Sequence, residues 1–305
     1  VRKNGRPGEE LRRRGVETAL LFAAGAALLL SPAVAHNART AGRLVPTAAH
    51  GGVNFYIGNR PGTSGVYEPP DGMRGDMRGV VEDARRRAET EAGRVLTAAE
   101  VSDFYMARAI EAIKREPGRW LALLGRKLVL FWNGTEVPDV PSVYFVERSA
   151  GVLRLLFIPY AAIAPLAVAG FIALWRSGRN RGVASIFLAC AVASVILFFV
   201  NARYRLPAVA LLAQLAAFFV AWSAREISRR RFRAFAAAAA AGLAVFFLAT
   251  ARTVVRVNHS AAYTILGNHY IEAGDEAKAA EAFAEAYRLD PAEIEAMINY
   301  ARVLM

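Results

Sequence analysis

Five apolar stretches set the organisation of the chain: Thr18–Ala35, Leu155–Trp175, Val183–Val200, Pro207–Trp222 and Ala234–Thr250. A helix that crosses a bilayer needs about 20 mainly apolar residues, roughly 17–25, and each stretch meets or approaches that length. Ala234–Gly242 is mostly alanine, so the fifth is the mildest of the set. The first ends in "SPAVAHN", which resembles a signal-peptide cleavage site. The four later stretches argue instead that it is a retained span.

The patterning between the first two stretches is that of a small, mostly helical domain. In "AAHGGVNFYIGNRPGTSGVYEPPDG", alternation over Val53–Ile57 predicts a short strand, with Gly and Pro marking turns around it. Asp76 is placed to cap a helix over Met77–Ala92. Thr97 and Glu100 form a capping box for a helix running to Arg115, with Val101, Phe104, Tyr105, Ala109, Ala112 and Ile113 on its buried stripe. Pro117 closes that helix and opens "PGRWLALLGRKLVLFW". This segment is short for a span and carries Arg126 and Lys127 midway. It reads either as a helix lying on the membrane surface or as a core helix of the domain.

The tail "YTILGNHYIEAGDEAKAAEAFAEAYRLDPAEIEAMINYARVLM" carries a repeat pattern. Tetratricopeptide units repeat every 34 or so residues as W-x2-L-G-x2-Y…A-x3-F…P. Tyr263 takes the Trp place, and Leu266, Gly267, Tyr270, Ala279, Phe283, Ala286 and Pro291 follow in register. Gly274 and Asp275 make the turn between the two helices, Asp290 and Glu293 cap the next, and Met297, Tyr300, Ala301 and Leu304 open a second unit. The chain starts at Val1 and stops inside that pattern, as expected of a piece of a longer protein with further repeats.

Charge supplies the topology. The formal net charge of the 305 residues is +12, a surplus that often marks nucleic acid or anionic lipid as a neighbour. Here it falls in three segments: Arg2 to Arg14 before the first span, "RSGRNRG" between the second and third, and "REISRRRFR" between the fourth and fifth. Lys and Arg in short loops mark the cytoplasmic side, and these three alternate correctly. No nucleic-acid-binding motif occurs, so nucleic acid is excluded as a partner. The tail from Ser260 is acidic, with eight acidic and three basic side chains. The predicted fold class is mainly α: a polytopic helical membrane protein of about five spans. Residues 1–15 form a basic cytoplasmic segment and 16–35 a span. Residues 36–152 form an extracytoplasmic domain, 153–251 a four-span membrane domain, and 258–305 a truncated tetratricopeptide region.

That topology puts "FVNARYRLP" in the one short outer loop, against the positive-inside rule. Arg203 and Arg205 can snorkel to headgroup phosphates. Alternatively Arg203, Tyr204 and Arg205 hold a lipid-linked phosphate, since guanidinium grips phosphate oxygens in a bidentate way, with Pro207 in the first turn of the following helix. Glu136 and Asp139, the carboxylates nearest the expected interface, are weak candidates for a general base or a divalent-metal contact, or are solvated or paired with a nearby Arg. Asn54, Tyr56, Asn59 and Arg60 could contact a sugar, or simply tie turns together. Asn133-Gly134-Thr135 and Asn258-His259-Ser260 match the glycosylation acceptor pattern, a short match. The single Cys190 excludes an intramolecular disulfide, and no Cys/His metal spacing or nucleophile–base triad is present.

Taken in order, "SPAVAHNARTAGRLV", "HGGVNFYIGNRPG", "GRVLTAAEVSDFYMARAIEAIKREPGRWLALLGRKLVLFWNGTEVPD", "ARYRLPAV" and the repeats resemble the C-terminal half of bacterial membrane glycosyltransferases of the protein-mannosyltransferase-like, GT-C type. The resemblance covers most of the chain. It implies transfer of a sugar from a polyprenyl-phosphate carrier to an extracytoplasmic acceptor at the bacterial inner membrane, with the repeats in the periplasm receiving a protein partner. It implies an acidic residue, acting as base or metal contact, in a first outer loop upstream of Val1, and Arg203 and Arg205 on the carrier phosphate. Many relatives carry an Arg-Asn pair where this chain has His36 before Asn37. The reading from another class is a membrane-anchored interaction protein without catalysis.

Overall fold

The computed structural model describes residues 7–41, 50–73, 77–138, 145, 158–177, 181–251, 259–291 and 294–304. Among them the structure is mainly helical. The chain divides into two compact units, residues 1–56 with 69–110, and residues 57–68 with 111–305.

In the first unit, α1 (Pro7–Ala41) contains the 25-residue apolar segment Gly15–Arg39, long enough to span a membrane and unburied within the protein. The expected strand at Val53–Ile57 is instead part of a helix, α2 (Gly51–Asn59). Short apolar runs are ambiguous by periodicity. Here the buried residues Val53 and Ile57 are one helical turn apart, not alternate. The "GG" that looked like a turn is a packing device: a Cβ on Gly52 would lie 1.8 Å from the Ser102 carbonyl oxygen, and the Gly52 N–H donates to Ser102 Oγ.

α3 (Met77–Ala92) and α4 (Ala98–Arg115) fall where the sequence places them; Asp76 lies outside the described residues. The Thr97–Glu100 capping box is made in both directions: Thr97 N–H donates to Glu100 Oε2 at 2.8 Å, and Glu100 N–H to Thr97 Oγ1 at 3.3 Å. Arg94 and these cap contacts hold the Glu100 carboxyl down at about 2. Val101, Tyr105 and Ala109 are buried as expected, while Phe104, Ala112 and Ile113 are half-buried.

In the second unit, α5 (Pro117–Trp132) buries Leu123, Lys127, Leu130 and Phe131 and exposes Leu121, Leu128 and Val129. It therefore has both a core face and an apolar outer face. Then come α6 (Tyr160–Ser177), α7 (Arg181–Ile196), α8 (Ala202–Ser228) and α9 (Phe232–Thr250). α6, α8 and α9 are long and apolar enough to cross a membrane, which with α1 makes four such helices among the described residues. The third expected span, Val183–Val200, falls short: α7 ends at Ile196. The chain then turns and runs extended through Val200, which bridges Val66 in parallel with Val200 N–H on the Gly65 carbonyl.

α6 packs against α8 and α9 through small residues. A Cβ on Gly170 would lie 1.9 Å from the Leu215 carbonyl oxygen, and one on Gly242 would lie 2.9 Å from that of Pro165. Close backbone approach of this kind is how helices associate where no hydrophobic force separates protein from lipid.

α10 (Ser260–Glu272) and α11 (Glu276–Leu289) form a hairpin, followed by α12 (Ile294–Leu304). Gly267 accommodates the Phe283 ring, since a Cβ there would lie 2.5 Å from it. Ala279, Phe283 and Ala286 are buried. Gly274 turns the chain at φ +76°, and the Asp275 carboxylate accepts from Lys278 N–H at 3.1 Å as N-cap. Asp290 sits at the end of α11 with its N–H on the Ala286 carbonyl, and Glu293 lies outside the described residues.

Candidate functional site

"FVNARYRLP" is not a loop joining two helices but the start of one. Asn201, fully buried, caps α8 by accepting from Arg203 N–H at 2.8 Å, so the helix begins at Ala202. Pro207 consequently lies inside α8 and not in its first turn. The two arginines do not converge. Residues two apart on a helix point about 200° away from each other; Arg205 faces inward and is 1% exposed, while Arg203 and Tyr204 face outward. The joint grip of both arginines on one phosphate, expected from a turn, is not the geometry the helix gives.

Arg205 instead closes the C-terminal end of α5. Its Nη1 donates to the carbonyls of Phe131 (3.3 Å) and Asn133 (2.6 Å), and its Nη2 to the Thr135 carbonyl (2.9 Å) and Glu136 Oε2 (2.8 Å). The last carbonyls of a helix lack intrahelical donors and carry partial negative charge, so a buried cation is well matched there. The Tyr160 ring covers the guanidinium at 4.2 Å, and Tyr160 Oη donates to the Phe131 carbonyl. Glu136, a candidate base, is thus the carboxylate partner of Arg205 and stays about one-third exposed. Asp139 lies outside the described residues.

The same segment is anchored on its other side. Asn133 is buried, and its Nδ2 donates to the carbonyls of Leu248 and Ala251 while its Oδ1 accepts from Thr135 N–H. Gly134 N–H donates to the Ala249 carbonyl. The Asn133 amide nitrogen is therefore engaged within the fold, which removes the first glycosylation match; Asn258 lies outside the described residues.

A second polar node lies where α2 ends. Asn59, fully buried, donates from Nδ2 to the Leu197 carbonyl (2.8 Å) and accepts at Oδ1 from Trp120 Nε1 (2.9 Å) and Lys127 Nζ (3.1 Å). Lys127 also donates to the Phe198 carbonyl at 2.6 Å. Gly58 makes the approach possible: a Cβ there would sit 1.9 Å from the Phe198 carbonyl oxygen. Asn59 thus ties the end of α2 to α5 and to residue 197. Arg60 donates from Nη2 to the Glu68 carbonyl. Asn54 and Tyr56 are half-buried on α2, with the Tyr56 ring 5.2 Å from that of Tyr105.

Burial without a carboxylate pushes Lys127 down to about 8. A base whose folded value is depressed makes the folded state bind fewer protons than the unfolded one, so stability rises with pH between the two values. The chain is expected to gain stability from about pH 8 to pH 10.5. Lys127→Met removes that rise, as chemical unfolding in micelles across this range would show; an unchanged slope would refute it.

The outward surface left by these two nodes is Arg203 and Tyr204, with the guanidinium 5.4 Å from the Tyr204 ring centroid. Tyr204 packs on buried Phe199, which packs on Tyr67. Among the described residues no group of three or more His, Cys, Asp or Glu could hold a metal. The sequence reading missed Lys127, Trp120, Asn133 and Tyr160 as site-building residues. Lysine midway along an apolar stretch was the available signal for the first.

The chain matches no protein-family model, no curated protein and no solved structure. Among the described residues the chain is mainly helical, with four helices long and apolar enough to cross a membrane, as a membrane protein would have.

Proposed function

We propose that this chain is the C-terminal part of a bacterial inner-membrane glycosyltransferase of the GT-C type, and that Arg203 and Tyr204 contact the phosphate of its polyprenyl-linked sugar donor. The observation that carries the reading is the outward-facing Arg203–Tyr204 pair at the start of α8, an apolar helix of 27 residues. Its backbone is fixed by the Asn201 cap and the Arg205 anchor. A cation held at the end of a span, at headgroup depth, suits a lipid-linked phosphate. Stabilising negative charge as it develops on the leaving phosphate is a strong catalytic term. With all five apolar stretches crossing, α7 included, the basic segments put this end of α8 on the extracytoplasmic side. Arg203→Ala in the full-length protein is expected to lower sugar transfer from the lipid donor by ~10–100-fold, with Arg203→Lys in between. Transfer at the unaltered rate would end this reading.

The second reading, an anchored interaction protein, draws on the α10–α11 hairpin, whose Gly267–Phe283 contact fits a tetratricopeptide unit. On either reading the repeats lie in the periplasm and bind a protein partner. Removing residues 260–305 separates the two: an enzyme keeps transfer to a small acceptor, whereas a scaffold loses its only measurable activity.

A further inference from the structure

Arg119 occupies the first turn of α5, and its side chain is more than two-thirds covered. Its Nη1 donates to the Arg60 carbonyl at 3.4 Å. Its Nε and Nη2 are sealed from solvent and meet no hydrogen-bond acceptor. These two nitrogens are not an arbitrary pair. They form one edge of the planar guanidinium, whose parallel N–H groups match two oxygens of a single oxyanion. Leaving both donors buried and unmade is expensive. The nearest carboxylate, Glu116 Oε2, lies 3.1 Å from Nε but without hydrogen-bond alignment, and Glu116 is itself more than half exposed. Glu116 is also the N-cap residue of α5 and makes no side-chain cap, so the positive end of a 16-residue helix faces the same place.

The geometry points to a phosphate-binding site on the Nε–Nη2 edge of Arg119, with Glu116 as the movable group that lies across it in the unliganded chain. The phosphate arrives either free or as a lipid headgroup. This site is separate from Arg203 and does not depend on sugar transfer.

Binding to the full chain in micelles is measured with inorganic phosphate. In parallel, the chain in nanodiscs is titrated with vesicles of equal parts phosphatidylcholine and phosphatidic acid, against phosphatidylcholine alone. Saturable binding in one arm identifies the source. Arg119→Lys, which keeps the charge but loses the fork, is expected to weaken it ~10-fold, and Glu116→Gln, which removes the competing carboxylate, to strengthen it a few-fold. No saturable binding in either arm, or binding indifferent to both substitutions, overturns the proposal. Neither titration contains a sugar donor, so its failure is distinguishable from loss of transfer on changing Arg203.

Discussion

Arg205→Ala is expected to lower the unfolding free energy of the chain in mixed micelles by roughly 3 kcal/mol, the lower end of the loss seen when one partner of a buried ion pair is removed, since Glu136 is about one-third exposed. The substitution takes the guanidinium away from the carbonyls of Phe131, Asn133 and Thr135 and from Glu136, while Phe131 keeps the Tyr160 hydroxyl. Arg205→Lys is expected to recover less than half, because one ammonium cannot reach four acceptors arranged for a fork. The companion change Glu136→Gln is expected to be mild, since Arg205 keeps its three carbonyls. Equilibrium unfolding of the three variants settles the matter. A loss under 1 kcal/mol for Arg205→Ala would mean that the guanidinium does not hold the end of α5. On the glycosyltransferase reading proposed above, a sharp fall in sugar transfer with unchanged stability for Glu136→Gln would give Glu136 a part in the reaction beyond its pairing with Arg205.

Gly58→Ala is the second large effect, expected at roughly 3 kcal/mol or more, at the upper end of overpacking changes. The added methyl would meet backbone, the Phe198 carbonyl oxygen at 1.9 Å, and not a side chain that can rotate away. Separating α2 from residues 197–199 would also stretch the Asn59 and Lys127 bonds to the Leu197 and Phe198 carbonyls. Gly118→Ala on α5, where nothing lies within 4 Å, serves as the matched control and should be near neutral. Thermal unfolding followed by tryptophan fluorescence reads both, Trp120 being a reporter of the Asn59 node. Equal midpoints for the two variants would contradict the close contact.

Much of the fold was legible because it depends on local rules. The capping box at Thr97–Glu100, the limits of α3 and α4, and the Gly267, Ala279 and Phe283 spacing each follow from contacts within a helix or between adjacent ones. What escaped depends on residues distant in sequence. Val53–Ile57 alternates like a strand, yet becomes helical because Gly52 and Gly58 meet carbonyls contributed by residues 102 and 198. Arg205 reads as a ligand contact in a turn until Asn201 is seen to start the helix three residues into the motif. From that point the facing of each side chain is fixed, and Arg203 alone of the two arginines is left outward. Asn59 reads as a sugar or turn contact, and Lys127 only as a charge midway along an apolar helix, because the Lys127 acceptors lie 68 and 71 residues away and the Asn59 acceptor 138 residues away.

The early end of α7 bears on the bilayer itself. Sixteen residues rise about 24 Å, against a hydrocarbon thickness near 30 Å. The polar backbone of 197–202 that follows is met within the protein by Asn59, Lys127, Gly65 and Val137, as carbonyls and N–H groups beside lipid would require. A bilayer crossed by so short a helix would thin beside it, and the dimple would bring headgroups inward at the start of α8.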